Sequence, residues 1–374
     1  MPDLTLVMLG AGSSSRFHQK TKKQWLRIGD VPLWLFSTEN LAQLYPFSNI
    51  IITTAPEDIA YCQKFSDAIT FVEGGASRQA SLKNALLHVK TPWVLVSDIA
   101  RPCMDQAMLE RLLEASSDYQ CVVPYLPVVD TVVYEETTIN RDAVKLIQTP
   151  QLSSTTLLKQ ALDTNIDYTD DSSAVAAMGG KIGYVLGSAS AKKLTCKEDI
   201  ASIPCLQAPS SSPFVGYGFD VHAFEEGKAM VLGGVEVHPT VGFRAHSDGD
   251  VAIHALIDAL LGAAGAGDIG ELFPDTDVQY KGVDSKELLR HVCAFIERVG
   301  FEMVHCDLAI MAEFPKLGHL KDAIRFALAR ELGLNAWHVN VKATTTEKLG
   351  FIGRKEGVAV SATVTLKYAD WKNV

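Results

Sequence analysis

Three short runs in the first half of the chain, Leu4–Leu9, Asn49–Thr54 and Trp93–Ser97, are apolar or β-branched and read as strands. Between them, Pro32–Leu44 and Ser77–Leu87 read as helices. Strand alternating with helix predicts an α/β fold, a Rossmann-like and mostly parallel sheet with crossover helices. Its ligand belongs at the carboxyl ends of the strands. Val128–Glu135 and Ala143–Thr149, separated by Thr137-Thr138-Ile139-Asn140, read instead as a β-hairpin arm. The pattern changes after Phe214. Gly216–His222 reads as a short strand, and Val251–Leu261, apolar and Ala/Leu-rich, as a helix opening just after the Asp248-Gly249-Asp250 turn. No internal repeat relates the two halves.

The segment Leu206–Pro213 is a Pro/Ser cluster of linker composition. Eight of the ten histidines follow it. We therefore expect one domain over residues 1–208, a linker over 209–213 and a second domain over 214–374, in keeping with the length of 374 residues. Composition adds limits. Residues 1–209 carry 18 basic and 22 acidic side chains and residues 210–374 carry 16 and 22, so the net charge of −10 is spread over both halves. Without a basic stripe, nucleic-acid binding is not expected. The seven cysteines are scattered and form no Cys-x-x-Cys pair, which predicts reduced thiols in a cytoplasm. No apolar run reaches about 18 residues and the start lacks the basic region of a signal peptide, so no membrane span is expected.

Candidate chemistry sits at two places. In Leu9-Gly10-Ala11-Gly12-Ser13-Ser14-Ser15-Arg16 the glycines let backbone N–H groups approach a phosphate near a helix N-terminus. No Gly-Lys-Ser/Thr follows, so this is no Walker loop, and Ser15 replaces the third glycine of a dinucleotide fingerprint. Arg16 with Lys22 and Lys23 would place fixed cations beside the turn, suited to charge developing on a phosphorus under attack, though a solvated basic turn also fits. In the second half, Asp220 and His222 are two apart on a strand and share a face, with His254 on the following helix. One carboxylate and two imidazoles suit a divalent metal of zinc type, with a fourth position left open as in catalytic sites. The bland alternative is that Asp-x-His is a common tripeptide and His254 caps a core helix. Polar Gly-rich loops flank His254 on both sides, at Ala245–Asp250 and Gly267–Asp275, which a buried core helix would not need. Thr344, Thr345, Thr346 and Glu347 offer hydroxyls and an acid at a strand's end. They suit phosphate oxygens and a second divalent ion, or are ordinary strand filling.

The Gly10–Arg16 turn, Lys22-Lys23-Gln24-Trp25, Gly74–Ser81, Ser97–Pro102, Arg141 with Gln148–Gln151, and Lys193-Leu194-Thr195 together resemble the 2-C-methyl-D-erythritol 4-phosphate cytidylyltransferases over residues 3–205. The resemblance implies that a sugar phosphate attacks the α-phosphorus of CTP and pyrophosphate leaves, with Mg²⁺ in the site. Arg16 and Lys23 would stabilise the transition state and Lys193 would bind the same phosphates. Ala11, Gly75 and Ser81 would read cytosine, Asp98 would hold ribose or Mg²⁺, and Arg101, Thr131 and Arg141 would grip the sugar phosphate. Thr131 and Arg141 would serve a neighbouring subunit's site in a dimer. Ser97, Ile99 and Ala76 depart from that family's pattern around Asp98 and cytosine.

Residues 214–368 resemble the 2-C-methyl-D-erythritol 2,4-cyclodiphosphate synthases, which implies an α/β (α+β) domain of that type. Asp220, His222 and His254 match its zinc ligands. His246 and Ser247 would position the substrate's 2-phosphate, Asp268, Gly270 and Asp275 the erythritol hydroxyls. Lys316, Thr344 and Thr345 would hold cytidine and its diphosphate, and Glu347 Mg²⁺ or Mn²⁺. Phe351 and Arg354 match residues lining a trimer axis. A dimerising half joined to a trimerising one implies a homo-oligomer as large as a hexamer. Two other readings stay open: a sugar-nucleotide pyrophosphorylase fused to a metal-dependent phosphate lyase, or a non-catalytic pathway scaffold.

Overall fold

The computed structural model describes residues 2–164, 166–245, 247–274 and 282–372. It divides into two units, one ending at Ala208 and the other beginning at Pro209.

The first unit is built on an eight-stranded sheet. Its order runs Lys145–Ile147, Cys121–Pro127, Gln151–Ser154, Trp93–Asp98, Leu4–Leu9, Asn49–Thr54, Thr70–Glu73, and Ile182–Leu186 pairs with Cys121–Pro127 off that path. The four strands from Trp93–Asp98 to Thr70–Glu73 are parallel, as the strand–helix alternation predicts, while Gln151–Ser154 enters antiparallel. Leu4–Leu9 is buried along its whole length, the expected pattern for a strand covered on both faces. Helix starts follow local capping chemistry. The Ser77 hydroxyl accepts from the Ala80 N–H at 3.1 Å to open Arg78–Leu86, and Asp105 accepts from Met108 N–H at 2.7 Å to open Gln106–Ala115. Pro32 is the cap residue before Leu33–Leu44 and not its first turn.

Two expectations are corrected here. The arm strands do not pair with each other: Val132–Tyr134 pairs with Thr137–Ile139, and Lys145–Ile147 joins the main sheet beside Cys121–Pro127. The chain turns back at Glu135 and Glu136, both at positive φ (46° and 65°), immediately before the Thr137–Asn140 segment expected for the turn. Cys103 and Cys205 form a disulfide, with Cα atoms 5.8 Å apart, where only free thiols were expected. The segment around Cys205 returns to the turn after Trp93–Asp98 despite 102 residues of separation, which spacing cannot reveal. The other five cysteines are free.

The second unit has a five-stranded sheet in the order Val241–Phe243, Phe214–Glu226, Gly357–Tyr368, Phe301–Met311, Val339–Thr344. Only the last pair is parallel. The helix Val251–Ala263 packs across Phe214–Glu226 and Gly357–Tyr368. Contact with the first of these strands is backbone to backbone. A Cβ added at Gly216 would lie 1.9 Å from the Ala259 carbonyl oxygen, and one at Gly218 1.9 Å from that of Ala255. Asp220 and His222 follow on the same face by the period of two. The opposite face of that strand shows Val215, Tyr217 and Phe219, which are 64%, 65% and 50% exposed. Among the described residues no helix is long and apolar enough to cross a membrane.

Candidate functional sites

In the first unit a cleft of about 570 Å³ opens where Leu4–Leu9, Asn49–Thr54 and Trp93–Asp98 end, a volume suited to a nucleotide-sized ligand. Its walls come from the two glycine turns. Ser14 sits at φ 57°, and its hydroxyl donates to Gln24 Oε1 at 2.9 Å while Gln24 Nε2 donates to the Gly12 carbonyl at 3.3 Å. The phosphate-type loop is thereby tied to the segment that carries Lys23. The Ser81 hydroxyl accepts from the Gly75 N–H at 3.0 Å, which fixes the second turn.

Charge is concentrated in this cleft. Arg16, Lys23, Arg78, Asp98 and Lys193 all line it. Lys193 Nζ lies 2.6 Å from Asp98 Oδ2, and Arg78 Nε 4.0 Å from Asp98 Oδ1. Burial opposes ionisation of Asp98, but Lys193, Arg78 and Arg101 outweigh it and hold the carboxyl below its ordinary range. Lys23 is pushed below the ordinary lysine value, first by burial and then by Lys193 and Arg16, with Asp98 acting in the other direction.

Ala11, Arg16, Lys23, Gly75, Ser81, Asp98 and Lys193, expected from sequence, thus share one cleft. Arg101, Thr131 and Arg141 do not line it. Arg101 Nη1 donates to the Ala191 carbonyl at 2.6 Å, steadying the segment that leads to Lys193. Arg141 Nη1 donates to the Val129 carbonyl at 2.6 Å, and Thr131 is exposed on the same arm. Arg78 was missed, although its place in the second glycine turn was a usable signal. Asp171, which accepts from Arg78 Nη1 at 2.8 Å and is almost fully buried, gave none.

In the second unit Asp220, His222 and His254 converge, with their candidate ligand atoms all within 4.8 Å of one another. Asp220 Oδ2 lies 3.1 Å from His222 Nε2 and 3.2 Å from His254 Nδ1. Burial works against ionisation of Asp220, but hydrogen bonds and charge from the two histidines hold its carboxyl well below the usual carboxylate range. His222 Nδ1 is 3.0 Å from the Gly249 carbonyl, which can only accept, so this ring nitrogen carries hydrogen. The proton on Nε2, which faces Asp220 Oδ2, is the one a cation would displace, leaving Nε2 bare toward the cluster. Three electron-rich atoms meeting in one place suit a divalent cation, and the donor set is of the zinc type.

The helix bearing His254 is fixed at its start by Asp250, which is fully buried. Asp250 accepts from Ala252 N–H and Ile253 N–H at 3.1 Å each, and from Gly233 N–H and Gly234 N–H at 2.9 and 2.7 Å. Ser247 Oγ stands 3.2 Å from His254 Nε2. Asp268 accepts from Glu271 N–H at 2.9 Å and caps the short helix Ile269–Leu272, which contains Gly270. His246 and Asp275 lie outside the described residues.

A second polar cluster lies at the end of Val339–Thr344. Thr345 Oγ1 donates to Glu347 Oε1 at 3.1 Å, and the Thr344 hydroxyl donates to the Thr345 carbonyl at 3.3 Å. Glu313, not expected from sequence, organises this loop by accepting from Thr346 N–H at 3.3 Å and Lys348 N–H at 3.0 Å, with Lys316 nearby. Glu347 is not a member of the three-residue metal cluster. Phe351 is 37% exposed, and Arg354 pairs with Glu356 at 2.8 and 3.0 Å.

Comparison with known proteins agrees with this division. The family model described as 2-C-methyl-D-erythritol 4-phosphate cytidylyltransferase matches residues 4–206, and that of the YgbB family matches residues 214–367. The bifunctional enzyme IspD/IspF of Aliarcobacter butzleri is 55% identical over 372 residues, a coverage of 100% of each chain to the nearest percent. That of Sulfurimonas denitrificans is 54% identical, over 99% of this chain and 96% of its own. The solved structure of the bifunctional IspDF from Campylobacter jejuni is 50% identical, with a TM-score of 0.88 over 99% of this chain and 100% of that one.

Proposed function

The chain belongs to the bifunctional IspD/IspF enzymes, which join CTP-dependent cytidylyl transfer to cyclodiphosphate synthesis in isoprenoid biosynthesis, and from that premise we propose which of its residues carry each step. Its first reaction transfers CMP from CTP to 2-C-methyl-D-erythritol 4-phosphate and releases pyrophosphate. Its second cyclises the 2-phosphorylated CDP-methylerythritol and releases CMP. The observation that carries the assignment is that each unit holds one constellation of its own, a cationic cleft in the first and a three-ligand cluster in the second. A pyrophosphorylase–lyase fusion and a passive scaffold both give way to this reading.

In the first unit Arg16 and Lys23 stabilise charge on the α-phosphorus as the sugar phosphate attacks, and Lys193 binds the same phosphates. Ala11, Gly75 and Ser81 contact cytosine through the two turns, and Asp98 takes ribose or Mg²⁺. Arg101, Thr131 and Arg141 bind the sugar phosphate, the last two from a neighbouring copy, which fits their place on the exposed arm. The depressed pKa of Lys23 has a measurable consequence. Its charge is present at low pH and is lost as pH rises through that lowered value. In the kcat/KM profile for cytidylyl transfer the alkaline inflexion is expected below the ordinary lysine value of 10.5. An inflexion at or above it would overturn this reading of Lys23.

In the second unit Asp220, His222 and His254 hold Zn²⁺, which when bound polarises the phosphate under attack. His246 and Ser247 position the 2-phosphate, Asp268, Gly270 and Asp275 the erythritol hydroxyls. Lys316, Thr344 and Thr345 hold cytidine and its diphosphate, and Glu347 holds Mg²⁺ or Mn²⁺. The exposed apolar strip Val215, Tyr217 and Phe219 needs a cover, and a homo-oligomer with dimer contacts from the first unit and trimer contacts from the second, where Phe351 and Arg354 lie, supplies one. Five of the seven cysteines are free, which fits a cytoplasmic setting, and the Cys103–Cys205 disulfide is the departure from it.

The two reactions are not consecutive. The first product lacks the 2-phosphate that the second needs as nucleophile, and both glycine turns of the first unit line a single cleft. A separate ATP-dependent kinase acts between them. The purified protein, given methylerythritol phosphate, CTP, ATP, Mg²⁺ and Zn²⁺, is expected to accumulate CDP-methylerythritol and form no cyclodiphosphate. Cyclic product in the proven absence of a kinase would overturn the assignment.

A further inference from the structure

The ring of His254 is gripped on the side away from the metal-ligand cluster. Its Nε2 lies 3.0 Å from Ser285 Oγ and 3.2 Å from Ser247 Oγ. Ser285 is fully buried and opens the helix Ser285–Arg298. Asp248 holds it twice. One carboxylate oxygen accepts the Ser285 hydroxyl, and the other accepts the Ser285 backbone N–H at 3.2 Å. Asp248 is itself anchored: its N–H donates to the Val283 carbonyl at 3.3 Å, and its Oδ1 accepts from the Asp250 N–H at 3.2 Å.

A serine hydroxyl has one hydrogen and two lone pairs. The Ser285 hydrogen is committed to Asp248, since an ionised carboxylate can only accept. What Ser285 offers His254 is therefore a lone pair, and His254 Nε2 must carry hydrogen and donate. In the neutral imidazole that a metal requires, Nδ1 is then bare, and Nδ1 is the atom 3.2 Å from Asp220 Oδ2. Ser247 alone would not force this choice. Its hydroxyl accepts from the Gly249 N–H at 3.1 Å, and its own hydrogen can turn toward Nε2 or away from it. His222 receives the same service from the main chain, through the Gly249 carbonyl.

We infer that Ser285, oriented by Asp248, is a positioning residue for the divalent-metal site, selecting the His254 tautomer and ring orientation that aim Nδ1 at the ion. This rests on the reading of Asp220, His222 and His254 as metal ligands. Ser285 is not a member of the candidate ligand cluster; it acts through His254. Outer partners of this kind change metal affinity by about 10–100-fold.

The test is zinc affinity of the full-length protein, measured with Zn²⁺ alone against a chromophoric chelator. Ser285→Ala is expected to weaken binding by about 10–100-fold. Asp248→Asn acts in the same direction, because its amide can donate to Ser285 and release the hydroxyl hydrogen toward His254. Ser247→Ala has a smaller effect. The thermal midpoint of the metal-free protein and its cytidylyl transfer rate stay at parent values, which separates loss of affinity from unfolding. Parent-like affinity in Ser285→Ala overturns the inference, as does a larger loss in Ser247→Ala. If Ser285→Ala loosens the metal-free protein, Asp248→Asn decides, and parent-like affinity there overturns it. A parent chain that takes up no zinc defeats the metal-site reading itself, and this inference with it.

Discussion

His222→Ala or His254→Ala is expected to remove bound zinc and abolish cyclodiphosphate formation, while cytidylyl transfer continues at the parent rate. Each substitution leaves two protein ligands of three, too few to keep a catalytic ion against solvent competition. A metal that polarises a phosphate contributes several kcal/mol to the barrier, so its loss is worth on the order of a thousandfold or more. Neither residue belongs to the first unit, whose cleft is lined wholly by residues between Leu9 and Thr195. The chain thus carries its own control. Metal analysis and two product assays on one preparation check the expectation. Undiminished zinc in both variants would put the ligands elsewhere, and parallel loss of both activities would point to misfolding instead of an emptied site.

Arg16→Ala and Lys23→Ala are each expected to slow cytidylyl transfer by at least about two orders of magnitude, the size of effect seen when one fixed donor to a developing charge is removed. Both side chains face the same cleft as Lys193, and Lys23 is lowered first by burial and then by its cationic neighbours Lys193 and Arg16, so positive charge is gathered where a triphosphate would neutralise it. Pyrophosphate release gives the rate. Lys23→Arg, which keeps charge but not shape, is expected to recover part of it. Near-parent kcat in both alanine variants would remove these residues from the transition state, and cyclase activity stays unchanged in either case.

Much of this was legible in the chain because the signals are local. Leu4–Leu9 and Asn49–Thr54 end where the apolar run ends, and Asp250 announces the helix that carries His254. The Asp220–His222 spacing and the helix start before His254 marked three candidate ligands, and the structure brings their ligand atoms within 4.8 Å of one another. What escaped depends on contacts between distant segments. Glu135 and Glu136 turn the arm early although neither is a usual turn residue. Cys103 finds Cys205, Arg78 finds Asp171, and Glu313 reaches under the Thr345–Glu347 loop, and no periodicity encodes any of these. The outer shell around His254 was hidden for the same reason, since Ser285 lies 31 residues away.

The Gly216 and Gly218 contacts with Ala259 and Ala255 carry one more consequence. At Gly216 and Gly218 the strand that continues to Asp220 and His222 meets the helix bearing His254 with no strand side chain between them. The spacing of the two elements is set there by the backbone, so a side chain at either glycine would spread the elements that carry the three candidate ligands.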